Sequence, residues 1–394
     1  MPDEATPRFA LAHDWLTGMR GGEKVLRRLC GLLPDATLHT LIHVPGACDA
    51  DIEQRDIRTS VLGDMPGIGR CYRRLLPLMP PAAEWMDLSD ADVVISSSHC
   101  VAKGFARKRP GQLHICYCHT PMRYVWAGED YHRGMAGAAL VAIAPFLRAW
   151  DRRTAGRVDL FLANSACVAR RIRRCYGRAA VVLYPPVDTH WFTPDERPRE
   201  DFYLMVSAIA PYKRVELAIE AFTASRRRLR IIGTGPGLDR LRRRCPDNVE
   251  MPGFCDDVTV RDSYRRCRAV IFPQVEDFGL VPLEAMACGT PVIAYAAGGA
   301  LETVLDAGDP NVVEPTGVLF ATQTPQALNE AIERFERMWE RFDPSRLRNW
   351  AEQFRPEQFD KGFVEVVAPL LSRNGWAVPA HWREIMEPDR SRPC

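Results

Sequence analysis

Glu276 and Glu284 bracket the run Glu276-Asp-Phe-Gly-Leu-Val-Pro-Leu-Glu284, which follows an apolar stretch and leads into Gly289-Thr-Pro. A loop that leaves a buried strand and becomes a helix N-terminus is where open α/β sheets bind ligands. Backbone N–H groups exposed at such a turn, backed by the helix dipole, favour phosphate. Phe278, Gly279 and Leu280 fall at that turn. Glu276 is expected in the loop and Glu284 about two turns into the helix. Carboxylates so placed accept hydrogen bonds from separate sets of hydroxyls on one long ligand. A Glu pair by itself is more often a solvated helix face. Pro273 before the run and Gly-Thr-Pro after the helix favour a site.

Other residues could share that chemistry. Lys213 and Arg214 close the run Pro211-Tyr-Lys-Arg, a basic pair at a helix-start proline. Gly21 and Gly22 open a helix-like run, where glycine lets backbone approach a diphosphate without a Cβ in the way. Glycines in a βα turn are equally often plain turn chemistry. Gly233 and Gly235 lie in Gly233-Thr-Gly-Pro-Gly237, and Gly298-Gly299 follow later. His119 ends an apolar run in Tyr117-Cys-His-Thr-Pro121, and His99 follows Ser96-Ser-Ser at another strand end. Arg123 and Tyr124 stand close to His119 in the sequence.

The elements that must position these residues repeat one pattern twice. Phe9-Ala-Leu-Ala-His13 is a short apolar strand running into the Gly-rich turn and a helix over 23–33. Residues 202–207 form a second such strand, followed by a loop through Pro211 and a helix over 214–222. Residues 91–96, 113–117, 160–163, 180–183, 229–232, 269–272 and 291–294 read as buried parallel strands between helical patterns. Strands alternating with helices imply parallel sheets covered on both faces. The pattern predicts two α/β domains. Residues 184–194 and the polar stretch to 200 interrupt both periodicities with proline pairs and charge. The expected division is 1–190, 191–355, and a C-terminal helix and tail over 356–394 that packs back on the first domain.

Composition narrows the classes. The chain has 394 residues, 46% hydrophobic and 26% charged, which suits a folded globular protein rather than a disordered one. The net charge of +2 hides a basic N-terminal half and an acidic remainder. A basic half suits anionic lipid or a phosphorylated acceptor, or simply a solvated surface. The mild charge and the lack of any nucleic-acid-binding motif argue against nucleic acid as a partner. The 13 cysteines are odd in number and include no C-x-x-C pair, so a reducing cytoplasm is expected. The first residues lack a basic and apolar signal, and the most apolar stretch, 136–146, is too short to cross a bilayer.

With these motifs in place, the chain resembles the retaining GT-B glycosyltransferases, in particular glycosyltransferase family four. Glu276 to Glu284 resembles the family's E-x-x-x-x-x-x-x-E motif, and Gly21-Gly22-Glu23-Lys24-Val25 its N-terminal Gly-rich loop. Cys118-His119-Thr120-Pro121, Ala163-Asn164-Ser165, Tyr184-Pro-Pro-Val187 and Pro211-Tyr-Lys-Arg214 resemble further motifs in the expected order. Gly233-Thr-Gly-Pro-Gly237 and Gly298-Gly299 complete the series. The resemblance implies two Rossmann-like domains with parallel sheets facing each other across a cleft, the first binding an acceptor and the second a nucleotide-sugar. It implies that Glu276 holds hydroxyls of the donor sugar, Glu284 the ribose hydroxyls, and Lys213 with Arg214 the leaving diphosphate. His119 would bind the donor sugar or position the acceptor, with Arg123, Tyr124 and His99 as further contacts. Many family members carry an arginine where this chain has Ala208, which rests more of the cationic role on Lys213.

Among known branches the chain is most similar to bacterial mannosyltransferases of cell-surface or lipid-linked glycans. That likeness implies transfer of a hexose, with GDP-mannose as the expected donor and a UDP-hexose as the alternative. The resemblance implies retention, and front-face displacement assisted by the leaving phosphate is the expected route because no carboxylate maps as a nucleophile. No metal is expected, since Asp90-Ala-Asp92 precedes its strand rather than following it, and no cofactor is expected beyond the donor substrate. A sugar-nucleotide epimerase or hydrolase shares the architecture but not the Pro-Tyr-Lys-Arg run with the paired glutamates. Residues 67–81 combine Arg70, Arg73 and Arg74 with Leu75, Leu76, Leu78 and Met79. They suit either peripheral contact with an anionic membrane, on the inner face of the plasma membrane, or a core helix with a charged face.

Overall fold

The computed structural model describes residues 6–106, 109–126 and 134–387, with only the backbone considered for residues 70 and 134–139. The chain divides into two compact units, Met1–Pro186 with Glu357–Cys394, and Val187–Pro356. Each unit is built around one parallel sheet.

The first sheet has seven strands: β1 (Phe9–His13), β2 (Thr37–Thr40), β3 (Ile57–Thr59), β4 (Val93–Ser98), β5 (Leu113–Cys118), β6 (Leu160–Ala163) and β7 (Val181–Val182). Their order is β3-β2-β1-β4-β5-β6-β7, parallel throughout. The central strands are apolar on both faces because both faces are covered. Ala10, Ala12 and Val94 pack into one cluster with Trp15, Tyr72 and Trp150. Leu11, Val93, Ile95 and Tyr117 pack into another with Phe359, Phe363 and Trp382. The helix Pro356–Arg373 therefore covers one face of this sheet. An Arg28–Asp360 ion pair joins it to the helix Gly21–Leu32.

The second sheet has six strands: β8 (Tyr203–Val206), β9 (Leu229–Ile232), β10 (Val249–Gly253), β11 (Val270–Phe272), β12 (Val292–Tyr295) and β13 (Gly317–Phe320). Their order is β10-β9-β8-β11-β12-β13, again parallel. In each sheet the order reverses next to the first strand of its unit, between β1 and β4 and between β8 and β11. The carboxyl ends of strands at such a switch point form the crevice where α/β sheets bind ligands.

Four strands escape the pattern reading: β2, β3, β10 and β13. In β2 the sequence Thr-Leu-His-Thr looks polar, yet Leu38, His39 and Thr40 are buried. His39 lies 3.1 Å from Thr37 Oγ1, and Thr40 Oγ1 donates to the Ile42 carbonyl, so burial leaves these groups partnered. β7 corrects the expectation of a buried strand over 180–183. Its two residues are exposed, because β7 is the edge of the sheet.

Cys116 and Cys118 share one face, as their spacing implies, and sit in an apolar cluster with Phe161 and Ile172. The described cysteines are all free thiols. The segment 67–81 is not one continuous helix. It forms the short helix Ile68–Cys71, a 3-10 turn Tyr72–Leu78 and the helix Met79–Glu84. Tyr72, Leu76 and Met79 enter the core, whereas Leu78 and the following Trp85 are exposed, with Arg73 and Arg74 exposed beside them in the chain. Among the described residues, no helix is long and apolar enough to cross a membrane.

Candidate active site

In the second unit the switch point brings together the residues singled out in the sequence. The loop after β8 carries a 3-10 turn, Pro211–Lys213, and the loop after β11 carries Glu276. Lys213 Nζ and a Glu276 carboxylate oxygen form an ion pair, each side chain mostly buried. The pair is separated by 63 positions in the chain and joined only by the sheet order. Arg214 adopts left-handed backbone, φ 56°, at the N-cap of the helix Val215–Ser225. Such backbone is uncommon for a residue with a Cβ and persists where the surroundings demand it.

Glycines hold these loops through close backbone approach. A Cβ on Gly233 would collide with the Ser207 carbonyl, and one on Gly235 with that of Ile209. These two glycines thus press the loop after β9 against the loop that carries Lys213, which Ile209 N–H donating to the Thr234 carbonyl at 2.8 Å also fastens. Gly298 and Gly299 do the same for the other loop, where side chains would strike the Glu276 and Phe278 carbonyl oxygens. A parallel bridge between Glu276 and Gly298 extends the sheet past its regular end.

Gly279, φ 91°, starts the helix Leu280–Ala287 as its N-cap. Phe278 is buried against Phe354, ring centroids 5.8 Å apart, and Leu280 lies partly buried at the same core. Glu284 sits inside that helix with 8% exposure and accepts a hydrogen bond from the Tyr264 hydroxyl at 3.1 Å. Burial, reinforced by the Glu284 carboxylate, pushes the Tyr264 phenol well above its usual range, so it remains a donor. Ala208 is exposed and brings no charge to this end of the sheet.

The first unit holds a second polar constellation at its own switch point. His13 ends β1, Ser97 stands opposite it in β4, and His119 follows β5. Ser97 Oγ lies 3.1 Å from His13 Nδ1 and 2.8 Å from His119 Nε2. Asn164 donates its amide N–H to the His119 carbonyl at 3.0 Å, and Ser165 caps the helix Ala166–Tyr176. Burial, with the His99 ring adding to it, lowers the His119 ring to about 3, so at neutral pH it is uncharged. His99 Nδ1 lies 2.9 Å from Asp14, whose carboxylate also accepts four backbone N–H groups, those of residues 99 to 102.

Gly21 and Gly22 are the first residues of the helix Gly21–Leu32 rather than a loop before it, which corrects the expected start at residue 23. The Glu23 side chain accepts the Arg20 N–H at 3.1 Å, which stabilises an earlier start. A Cβ on Gly22 would meet His119 and His13 at 3.6 Å, so this helix turn lies directly over both rings. Arg123 and Tyr124 open the short helix Arg123–Trp126, and Tyr124 packs partly into the core. His13, Asp14, Glu23 and Ser97 were not singled out in the sequence. The available signals were a polar pair at the end of an apolar strand and a serine run inside one.

Comparison with known proteins bears on both units. The family described as Glycosyltransferase Family 4 matches residues 19–191, and that described as Glycosyl transferases group 1 matches residues 188–354. A GDP-mannose-dependent alpha-(1-6)-phosphatidylinositol monomannoside mannosyltransferase of Mycolicibacterium smegmatis is 32% identical over 45% of this chain and 54% of that protein. The alpha-1,3/1,6-mannosyltransferase ALG2 of Kluyveromyces lactis is 25% identical over 72% of this chain and 66% of that protein. These matches span only about half to two thirds of the relatives' own lengths. In fold, the chain is similar to sucrose-phosphate synthase from Thermosynechococcus elongatus, with a TM-score of 0.72, 17% identity, and coverage of 93% of this chain and 100% of that one. With two parallel-sheet Rossmann-like units and these two family matches end to end, the chain belongs to the GT-B glycosyltransferases of glycosyltransferase family four.

Proposed function

We propose that the chain is a retaining, metal-independent hexosyltransferase that moves mannose from GDP-mannose onto a lipid-linked or polysaccharide acceptor in cell-surface glycan synthesis. The observation that carries the reading is the meeting of Lys213 with Glu276 at the switch point of the second sheet. Glycosyl transfer builds positive charge on the sugar and negative charge on the leaving phosphate, so a fixed cation beside a hydroxyl-binding carboxylate lowers the barrier.

In this reading the second unit takes the nucleotide-sugar. Glu276 holds sugar hydroxyls, Lys213 and Arg214 face the diphosphate, and the N-terminus of the helix at Gly279 and Leu280 takes phosphate oxygens. Glu284, with one oxygen held by Tyr264, takes the ribose hydroxyls. The first unit takes the acceptor, and neutral His119 exchanges a hydrogen bond with a sugar hydroxyl. The chain works at the cytoplasmic face of the membrane, where Arg73, Arg74, Leu78 and Trp85 supply a basic and apolar contact. GDP-mannose is favoured because two relatives are named as mannosyltransferases, one of them GDP-mannose-dependent.

Thermal-shift binding of GDP, UDP and ADP, without and with magnesium, tests the donor. A selective ligand raises the melting temperature by mass action. A GDP-only shift supports the reading, and a UDP-only shift moves the donor to a UDP-hexose. No shift with any nucleotide overturns it. Proton NMR of the product anomer then tests retention, and free sugar released without acceptor would mark a hydrolase or epimerase. Lys213→Met is expected to lower kcat by about 10²–10³-fold.

A further inference from the structure

His119 does not stand alone: it ends a chain of polar groups that runs Glu23, His13, Ser97, His119. Glu23 is almost wholly buried, and His13 and Ser97 have no exposure at all. Glu23 uses one carboxylate oxygen to accept the Arg20 N–H. Its other oxygen lies 3.7 Å from His13 Nε2, a ring nitrogen that has no hydrogen-bond partner among the described residues. His13 Nδ1 and His119 Nε2 both meet the one Ser97 hydroxyl. The remaining ring nitrogen, His119 Nδ1, makes no hydrogen bond among the described residues.

A serine hydroxyl carries one proton, and each neutral imidazole carries one, on one nitrogen or the other. Two arrangements satisfy both contacts at Ser97 with its hydroxyl proton in use; a third, in which both rings donate to the serine oxygen, needs His13 protonated on Nδ1 and meets Glu23 as the first one does. In the first, His13 Nδ1–H donates to Ser97 and Ser97 donates to His119 Nε2. That leaves a lone pair on His13 Nε2 facing the Glu23 carboxylate, two acceptors set against each other in a buried place. In the second, His119 Nε2–H donates to Ser97, Ser97 donates to His13 Nδ1, and the His13 Nε2–H points at Glu23. Glu23 is ionised: burial raises its carboxyl, but the His13 ring and nearby backbone outweigh that and hold it below the usual range. A doubly protonated His13 would be a wholly buried cation lacking the hydrogen bond that a buried ion pair requires. The carboxylate therefore selects the second arrangement.

We propose that Glu23, acting through His13 and Ser97, fixes His119 in the Nε2–H tautomer, so that its open Nδ1 is a hydrogen-bond acceptor for a sugar hydroxyl. The sugar ligand rests on the transferase reading above; the tautomer does not. Glu23, His13 and Ser97 are positioning residues, and His119 is the group that meets substrate. Nothing is transferred along the chain: the three protons keep their places, and the acceptor end recognises a donor O–H.

The test is long-range proton–nitrogen correlation NMR of histidine rings in the full chain, with His119 assigned from the spectrum of His119→Asn. The expected result is His119 protonated on Nε2, with Nδ1 bare. Glu23→Gln supplies the inversion. Its amide oxygen must accept the Arg20 N–H, which turns the NH2 toward His13 Nε2, forces His13 to the opposite tautomer and frees the Ser97 proton to donate to His119 Nε2. That variant should show His119 protonated on Nδ1 and lose roughly 10- to 100-fold in kcat/KM while binding nucleoside diphosphate as before. Wild-type His119 with its proton on Nδ1, or a doubly protonated His13, overturns the proposal even if no variant folds. So does a folded Glu23→Gln with the wild-type ring pattern. If no transferase activity is found, the spectra still decide the tautomer, and the two readings fail separately.

Discussion

Replacing Asp14 by asparagine probes what holds the crevice end of the first sheet. The Asp14 carboxylate has no exposure. One oxygen accepts the N–H groups of His99 at 2.6 Å and Cys100 at 3.0 Å; the other accepts those of Val101 at 2.5 Å and Ala102 at 2.7 Å. Burial pushes its carboxyl up, but the paired His99 ring and the backbone donors outweigh it and hold it well below the usual carboxylate range. Asparagine keeps the shape and turns one oxygen into an NH2. Whichever way the amide is turned, that NH2 faces two backbone donors. Two buried N–H groups lose their acceptor, at about 1–3 kcal/mol each, and the other bonds lose the strength that charge lends them. The expected cost is about 3–6 kcal/mol. In a unit of this size, 1 kcal/mol moves Tm by about 2–4 °C, so the drop should be no less than about 6 °C. Calorimetry of Asp14→Asn against the unaltered chain reads it directly. A drop under about 2 °C would refute the claim that this carboxylate organises the loop.

Other outcomes follow from the same structure. Lys103 and Asp151 form a buried ion pair, and Trp126 Nε1 and the Tyr176 hydroxyl donate to the same carboxylate at 2.7 and 2.8 Å. Lys103→Met should cost about 3–5 kcal/mol in urea unfolding, and adding Asp151→Asn should recover much of it, since the buried charge is gone; additive losses would contradict this. His39 is driven by burial to about 4, while an exposed histidine titrates near 6.5. With His119 it binds protons more readily unfolded, so stability is full above pH ~6.5 and falls as pH drops, by up to about 1.4 kcal/mol per pH unit per ring. A urea midpoint constant between pH 7.5 and 5 would count against that, and His39→Gln should flatten the slope. Gly299→Ala must push the loop over 276–278 aside, because its Cβ has no room beside the Phe278 carbonyl. Nucleotide binding by thermal shift should weaken at least tenfold, and unchanged binding would show that the loop does not shape the site.

Much of the architecture was legible because its signal is local. Buried parallel strands leave apolar runs such as Phe9–His13 and the run before Glu276, and helices between them leave their own period. That alternation, repeated twice, implied two parallel sheets. β2 and β10 stayed hidden because Thr37-Leu-His-Thr and Val249-Glu-Met-Pro-Gly carry polar residues or proline that lower any apolar run. Their place is fixed by partners across the sheet. The glycines near the paired glutamates were visible as residues, but their reason was not, since a carbonyl of another loop is what excludes the side chain.

The sequence by itself determined which groups were available: the paired glutamates, the Pro-Tyr-Lys-Arg turn, the histidine after an apolar strand. The tertiary structure alone decided which of them meet. Lys213 reaches Glu276 only because β8 lies beside β11, and His13, Ser97 and His119 converge only because β1, β4 and β5 are neighbours. Strand order in a parallel sheet is set by crossover connections and by how helices bury both faces, which are contacts between distant parts of the chain. No local period encodes them. The proton on His119 is one step further removed, since it depends on a carboxylate from the helix Gly21–Leu32 acting through two other side chains in the dry end of the sheet.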